Sequence, residues 1–402
     1  MSGVEQPPHI AVVGAGIMGL STAWALHREG VRVSVFEQGP IPNPKGSSVD
    51  ESRLIRHPYG DQPGYTAMVD QAFAAWGRLF DDLKAVTAGE PLYHETGTLV
   101  MDTGGVDGRA IPAQAKAGQE SQWIPGSRRC LQALALDYQD LDGAGCAALV
   151  PGLRDDIVLD AFHLTTGGVL RAGRIVEVTA DYLSRRGVQT HANRPVKHVD
   201  TDRAQLDFGA GMVEQFDQVV VAAGPWVSSL LPTMADRVTP SRQMVVYMDL
   251  PEDGPWGDLR QAWTQAPMLL DIDPHNGFYA VPPVAGHRLK IGDHKFTMRG
   301  DPDDDRDVLR DHAQAVVDWA AARLQGFDRT HLESGRACFY TVQQDERFIL
   351  EPVGAKAFVM SGFSGHGFKF GALMGESMAR LVLGQQDAAS VRDWAAGLAL
   401  AA

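Results

Sequence analysis

The chain has 402 residues, of which 44% are hydrophobic and 21% charged, a composition and length typical of a globular protein with two domains. Its net charge of −14 argues against nucleic acid and anionic membrane surfaces as partners, and no apolar run has the length of a transmembrane helix. The first residues lack the pattern of a secretion signal, and three widely spaced cysteines suit a reducing compartment, so we expect a cytoplasmic protein. No cysteine and histidine spacing resembles a zinc site, and we expect no metal.

The N-terminal stretch has the order strand, glycine turn, helix, strand and acid. These features are residues 9–13, the GxGxxG glycines Gly14, Gly16 and Gly19, a helix to about residue 29, residues 31–36, and Glu37. In this fingerprint Gly14 permits the tight turn, Gly16 lets the backbone approach a pyrophosphate, and Gly19 lets the helix pack on the strand. Glu37 can accept hydrogen bonds from ribose hydroxyls and disfavours a 2′-phosphate. The stretch predicts a Rossmann-like domain that binds NAD or FAD.

The next stretches alternate less regularly. Residues 46–60 form a polar, turn-rich segment with two arginines, which also fits an ordinary surface loop. Residues 65–86 have the apolar period of a helix packed on a core. From residue 92 to 163 the α/β rhythm is lost, which indicates an inserted second domain. Residues 189–191 and 196–199 suggest a small strand pair, and residues 301–307 are an acidic loop before a helix over 308–323.

Near the C-terminus, a glycine-rich turn follows a short apolar strand at residues 357–360 and precedes a helix with apolar residues at helical spacing. The turn, residues 361–370, contains His366 and Lys369. Such a turn places backbone N–H groups beside a ligand. By itself it fits a tight turn whose glycines only satisfy backbone geometry equally well.

Four separated motifs resemble the monomeric sarcosine oxidase family, FAD-dependent amine oxidases of the D-amino-acid oxidase group. They are SRLIRH within residues 46–60, LKIGDH at 289–294, ACFYT at 337–341 and GFSGHGFKF at 362–370. The resemblance implies an α/β (α+β overall) architecture, with a discontinuous Rossmann-like FAD-binding domain and a sheet-rich substrate-binding domain. We expect the FAD-binding domain at residues 1–88, 164–233 and 346–402, and the substrate-binding domain at residues 89–163 and 234–345.

The resemblance also implies roles for single residues. Cys338 is similar to the cysteine that binds the flavin 8α-methyl group covalently, although a lone cysteine otherwise fits a small buried residue. Arg56 and Lys369 are similar to the pair that binds a substrate carboxylate. Arg53 is similar to the guanidinium against the flavin ring. Lys290 is similar to the lysine whose charge helps the reduced flavin react with oxygen, although alone it fits a strand-end lysine.

Further side chains are expected around the bound amine and the flavin. His294, Tyr279 and Tyr340 resemble residues that flank the amine. His366 resembles a residue that supports the flavin or the carboxylate end, and we group it with Gly365 and Gly367 as cofactor-binding. Asp293 departs from the family pattern, which often has an aromatic or apolar residue there, and adds a negative charge near His294.

The expected activity is FAD-dependent oxidation of the C–N bond of a secondary amino acid to an imine, with oxygen reduced to hydrogen peroxide. Sarcosine, another N-methyl amino acid or a cyclic imino acid fits, and we expect a monomer. One alternative is a dehydrogenase that passes electrons to a carrier, against which Lys290 argues. Others are a biosynthetic amine or imine oxidase of the same family, and a non-catalytic flavoprotein, against which Arg56 and Lys369 argue.

Overall fold

The computed structural model describes residues 7–104, 122–253, 257–273, 276–293 and 295–401. In chain order, the strands in these ranges are β1 (His9–Val13), β2 (Arg32–Phe36), β3 (Arg53–Ile55), β4 (Tyr93–Glu95), β5 (Thr98–Asp102), β6 (Gln139–Asp140), β7 (Asp160–Leu164), β8 (Gly168–Leu170), β9 (Gln189–His191), β10 (His198–Asp200), β11 (Gln205–Asp207), β12 (Val213–Gln215), β13 (Gln218–Val221), β14 (Thr239–Met248), β15 (Met268–Asp271), β16 (Tyr279–Val281), β17 (Leu289–Gly292), β18 (Leu332–Val342), β19 (Ile349–Val353) and β20 (Ala357–Ser361). The helices are α1 (Ile17–Arg28), α2 (Pro63–Thr87), α3 (Trp123–Ala133), α4 (Gly143–Leu149), α5 (Ala172–Arg185), α6 (Val227–Leu230), α7 (Leu259–Trp263), α8 (Arg310–Ala321), α9 (Gly371–Val382) and α10 (Ala388–Ala395). None of these helices is both long enough and apolar enough to cross a membrane.

A six-stranded sheet carries the N-terminal fingerprint. Its order is β19-β20-β13-β1-β2-β9, with β1 at its centre, and all neighbours are parallel except the edge pair β19 and β20. Strands β1 and β13 are almost fully buried, as expected for a parallel sheet covered on both faces. Because β20, β13 and β1 are consecutive parallel strands, the turns after all three meet at one edge of the sheet.

Helices α1, α2, α5 and α9 bury one face of this sheet in a single apolar core. Trp24, Trp76 and Trp394 lie in that core, each at most 2% exposed. The contact between α1 and α9 is close, since a Cβ atom at Gly375 would lie 2.4 Å from the carbonyl carbon of Ser21. This packing fixes the start of α9, and with it the C-terminal glycine turn, against the start of α1.

An eight-stranded sheet forms the second part of the molecule, in the order β18-β14-β17-β16-β15-β5-β7-β6. Its neighbours are antiparallel except β5 and β15. Helix α8 and a separate apolar core lie against it. The α/β class with a Rossmann-like sheet and a separate sheet-rich part is therefore confirmed. The residue bounds of the two domains stay a prediction.

Several local predictions can be compared with the elements. The strand before the C-terminal glycine turn and the helix after it are confirmed as β20 and α9, and the helix predicted over 65–86 is α2. The predicted pairing of residues 189–191 with 196–199 is wrong. Strand β9 pairs with β2 in the six-stranded sheet, and β10 pairs with β11 in a small sheet of its own.

Candidate active site

The first of two adjoining cavities, the dinucleotide cavity, has a volume of about 340 Å³ and lies at the edge where β1, β13 and β20 end. Its lining includes residues 13–18, 36–38, 46–49, 195–197, 222–226, 339–341, 363, 365, 367 and 368. These residues come from the glycine turn, the polar segment 46–60, strand β18 and the C-terminal turn. The cavity is thus built by both sheets, although the sequence fingerprint marks only one wall.

The glycines of the first turn are required by its geometry. Gly14 has φ +107°, and a Cβ atom there would lie 2.4 Å from the carbonyl oxygen of Ala222. A Cβ atom at Gly19 would lie 1.9 Å from the carbonyl oxygen of Gly14. Any side chain at these positions would separate α1 from the sheet, so the turn keeps helix and strands in direct backbone contact.

Polar groups surround the start of α1 inside this cavity. Glu37 is 7% exposed and accepts hydrogen bonds from the backbone N–H of Ala15 (2.9 Å) and the side-chain amide of Asn43 (2.9 Å). The hydroxyl of Ser48 accepts from the backbone N–H of Ile17 (3.0 Å). A helix N-terminus suits phosphate groups and a carboxylate at the end of β2 suits ribose hydroxyls, so these residues fit a dinucleotide.

The second cavity, the amine cavity, has a volume of about 470 Å³ and shares Arg53, Tyr340, Gly365 and Phe368 with the first. Gly365 has φ +79°, and a Cβ atom there would lie 2.1 Å from the ring of Tyr340. This glycine therefore allows the C-terminal turn to lie directly on the tyrosine ring. A planar group at the shared wall would face both cavities.

Two cations, one buried and one half-buried, line one end of the amine cavity. Lys369 is 5% exposed, and its Nζ donates to the hydroxyl of Tyr59 (2.8 Å) and to the carbonyl oxygen of His366 (3.0 Å). The guanidinium of Arg56 lies over the rings of Tyr59 (4.7 Å) and Trp123 (5.7 Å). Burial, followed by the charge of Arg56, lowers the pKa of Lys369 well below its usual value. In the described ranges no carboxylate forms an ion pair with either cation.

His366 lies in the same end of the amine cavity and does not line the dinucleotide cavity. Its Nδ1 is 3.3 Å from the hydroxyl of Tyr59, and its Nε2 is 3.0 Å from the carbonyl oxygen of Glu346. Its ring also contacts Tyr65 and Phe348. Of the two positions expected for this histidine, the structure places it at the cation end, while Gly367 lines the dinucleotide cavity.

Lys290 lines the amine cavity near the shared wall. Its Nζ lies 3.1 Å from Oδ2 of Asp50 and also donates to the carbonyl oxygen of Ser52. The guanidinium of Arg53 and the hydroxyl of Tyr247 donate to the same carboxylate. Burial lowers the pKa of Lys290 well below its usual value, and the charge of Arg53 lowers it further. The Asp50 carboxylate acts in the opposite direction, because a nearby negative charge favours the ammonium form.

Tyr279 and Tyr340 both lie on the wall of the amine cavity, close enough for each to influence the pKa of the other. Burial raises the pKa of each phenol above its usual range. Cys338 is 5% exposed and lines neither cavity, but its sulfur is close enough to influence the pKa values of Tyr340 and Lys290. His294, the other residue expected beside the amine, lies outside the described residues.

Sequence reasoning missed several lining or supporting side chains. Asp50 and Tyr59 lie inside the segment 46–60 but received no role there. The far wall of the amine cavity contains Asp271 and Asp273, both paired with buried Arg323. Burial raises the pKa of Asp271 to about 6. The spacing of three residues between Asp50 and Arg53 is a sequence signal for their pairing. No comparable signal marks Arg323, which follows α8 in the chain.

The acidic loop, residues 301–307, is largely exposed but lies across one side of the dinucleotide cavity. Asp303 lines that cavity and accepts from the indole N–H of Trp226 (2.9 Å), while its carbonyl oxygen accepts from Lys45 (2.6 Å). Arg306 donates to the carbonyl oxygen of Lys45 (2.7 Å).

Within the described ranges, no group of three or more His, Cys, Asp or Glu side chains is arranged to bind a metal ion.

Comparison with known proteins agrees with this geometry. The family model described as FAD dependent oxidoreductase matches residues 9–381. Monomeric sarcosine oxidase from Bacillus sp. (strain B-0618) is 25% identical over 93% of this chain and 92% of its own length. N-methyl-L-tryptophan oxidase from Escherichia coli (strain SMS-3-5 / SECEC) is 27% identical over 91% of this chain and 92% of its own length.

Solved structures share the fold. NikD, an amino acid oxidase essential for nikkomycin biosynthesis, aligns with a TM-score of 0.75 and 20% identity over 96% of each chain. Glycine oxidase from Geobacillus kaustophilus aligns with a TM-score of 0.75 and 18% identity over 95% of this chain and 96% of that chain. The resemblance to the monomeric sarcosine oxidases is confirmed across most of the chain. The chain therefore belongs to the FAD-dependent oxidoreductase family and is an FAD-dependent amine oxidase.

Proposed function

We propose that the enzyme oxidises the C–N bond of a secondary amino acid to an imine and reduces oxygen to hydrogen peroxide. The observation that carries this proposal is a pair of cations, the buried Lys369 and the half-buried Arg56, which line the amine cavity without a carboxylate partner in the described ranges. A buried charge without a counterion is costly unless a ligand supplies the opposite charge. A substrate carboxylate supplies it.

The residues of the dinucleotide cavity fit FAD. Glu37 would bind the ribose, the turn at Gly14 and Gly16 would face the pyrophosphate, and Arg53 and Gly365 lie where the cavities meet, as required for a flavin ring. When bound, FAD would supply the acceptor for the hydride that leaves the carbon beside the amine nitrogen.

Each residue of the amine cavity then has a task that its contacts support. Arg56 and Lys369 bind the carboxylate and thereby orient the amine towards the shared wall. Tyr279 and Tyr340 form the wall beside the amine. The apolar faces of Leu54 and Phe278 help to exclude water. Lys290 holds an ammonium group on the same cavity, where a fixed positive charge stabilises negative charge that develops on oxygen.

The lysine near the shared wall favours the oxidase over a dehydrogenase that passes electrons to a carrier. Sarcosine, another N-methyl amino acid or a cyclic imino acid each offers a carboxylate beside a secondary amine, and a biosynthetic role is compatible with the same site. A screen of these compounds for peroxide release tests the proposal. Peroxide formation with carboxylate-containing secondary amines is expected, and activity only with an artificial electron carrier would contradict it.

We also propose that Cys338 forms a covalent bond to the flavin. Support comes from its position in the ACFYT motif and from its place on β18, two residues before Tyr340, which lies on the same face of the strand and lines both cavities. After acid precipitation, the flavin is expected in the protein pellet for the wild type and in the supernatant for Cys338→Ser. Cys146→Ser, a substitution at another buried cysteine, is the matched control. Release of all flavin from the wild type would refute the bond.

A monomeric state and a cytoplasmic location stay predictions.

A further inference from the structure

Asp50 is a buried carboxylate that touches neither cavity but contacts two cations that do. Its side chain is 2% exposed, and it accepts from Lys290, from Arg53 and from the hydroxyl of Tyr247. Its other polar contact is the backbone N–H of Glu51 at 2.7 Å. A carboxylate this deeply buried is retained only where its charge is fully compensated.

The backbone of Asp50 is fixed independently of these side-chain contacts. Its carbonyl oxygen accepts from the N–H of Gly173 (2.8 Å) at the start of α5, and a Cβ atom at Gly173 would lie 3.0 Å from that oxygen. The carboxylate is therefore held by the six-stranded part of the molecule. Lys290, by contrast, belongs to β17 in the eight-stranded sheet. The ion pair joins the two parts at the shared wall of the cavities.

The charges around Lys290 would otherwise favour the neutral amine. Lys290 is 1% exposed, and Arg53 and Arg336 both act on it as positive neighbours, whereas Glu51 acts on it as a more distant negative one. Only Asp50 among the carboxylates of the described ranges contacts its Nζ. The titratable and charged groups that face it from the surrounding segments are Asp50, Glu51 and Arg53 on 50–53, Tyr247 on β14, His287 before β17, and Arg336 and Cys338 on β18.

We propose that Asp50 is a positioning residue that keeps the Lys290 ammonium protonated and aimed at the amine cavity. The inference rests on the proposed oxidase function, in which that ammonium serves the oxygen reaction. A neutral lysine at this place would supply no positive charge to oxygen. Asp50 thus determines the pH range in which Lys290 stays protonated, and it does so from outside both cavities.

The direct test measures protonation and needs neither substrate nor oxygen. The FAD-loaded protein is labelled with [ε-¹³C]lysine, and the Lys290 signal is assigned by its absence in Lys290→Met. In Asp50→Asn, which keeps the shape but removes the charge, the titration midpoint of that signal is expected to fall by about one pH unit or more. Glu333→Gln is the matched control, because Glu333 is a nearby carboxylate that pairs with Arg288 (3.0 Å) and does not contact Lys290. The Lys290 midpoint is expected to move much less in this variant.

A midpoint unchanged in Asp50→Asn, or shifted equally by both substitutions, would overturn the inference. If Asp50→Asn does not fold, the reciprocal measurement replaces it. The coupling between two charges is mutual, so Lys290→Met must raise the pKa of the Asp50 carboxyl, observed by ¹³C labelling of aspartate. Absence of that rise would equally overturn it.

Reoxidation of the reduced enzyme by oxygen gives the kinetic counterpart. In Asp50→Asn the rate is expected to approach that of the wild type at low pH. It is expected to fall about tenfold per pH unit above the lowered midpoint of Lys290. A loss that is the same at every pH would indicate a purely structural role and refute the proposal. A wild type that does not react with oxygen would refute the oxidase function instead, while the titration would still report on Asp50.

Discussion

Two buried lysines line the same cavity in opposite electrostatic settings. Lys290 lies 3.1 Å from the carboxylate of Asp50, whereas Lys369 is bonded, among the residues that the structure describes, only to the hydroxyl of Tyr59 and a backbone carbonyl oxygen. Burial lowers the pKa of both, and an arginine adds to the effect in each case: Arg53 beside Lys290, Arg56 beside Lys369. The two sites differ in the counterion that the protein provides.

Lys290 therefore has a permanent counterion, whereas Lys369 gains a counterion only from a bound ligand. A cation with a built-in carboxylate stays charged whether or not substrate is present, which suits a role after the amine has reacted. A cation that lacks one gains its counterion only when a carboxylate binds, which suits substrate recognition. The comparison predicts that the two lysines serve different half-reactions, and separate measurements of the two half-reactions test this prediction.

The largest effect is expected for Lys290→Met, measured by stopped-flow mixing of the reduced enzyme with oxygen. Removal of one preorganised charge beside the reacting groups typically costs about 10²- to 10³-fold in rate. Anaerobic reduction by the amine is expected to change far less, because Arg56 and Lys369 remain. A wild-type rate of reoxidation would show that the charge at this position is not used.

Lys369→Met is expected to act on the other half-reaction. Loss of one buried cation against a desolvated carboxylate costs about 2–4 kcal/mol, or roughly 30- to 1000-fold in anaerobic reduction per substrate concentration. The matched comparison is a secondary amine without a carboxylate, for which the variant and the wild type should differ little. An equal loss with both substrates would mean that Lys369 does not contact the carboxylate.

A smaller effect is expected from pH on the binding of acetate or another carboxylate that cannot be oxidised. Lys369 binds the anion only while protonated, so affinity is constant below its pKa and falls by up to about tenfold per pH unit above it. Because burial and Arg56 lower that pKa, the fall begins below the usual range of lysine. Flavin absorbance titrations measure it, and Lys369→Met should remove the pH dependence. A wild-type affinity that stays constant up to the usual lysine range would contradict the assignment.

The parts that could be predicted from sequence are those in which neighbouring residues form the structure. The fingerprint from Gly14 to Glu37 could be predicted because it consists of one turn, one helix and two strands that follow one another in the chain. The C-terminal turn with Lys369 could be predicted for the same reason. The resemblance then brought distant motifs together, although it gave no contacts.

The partner of Lys290 could not be predicted. Asp50 is 240 residues away in the chain, and the two meet only because the sheets pack against each other. The prediction that the short strands β9 and β10 pair with each other was wrong for a related reason. Strands of three residues carry too little pattern to define a register, so their partners are chosen by the tertiary structure.

The loop 301–307 and strand β18 have a consequence for the biogenesis of the enzyme. Asp303 and residues 339–341 of β18 close one side of a cavity whose opposite side comes from the six-stranded part, and Asp303 is held there by hydrogen bonds from Trp226 and Lys45. The ribose and pyrophosphate positions are encoded early in the chain, but the last walls are synthesised some 300 residues later. The cavity is therefore complete only after nearly all of the polypeptide has been made.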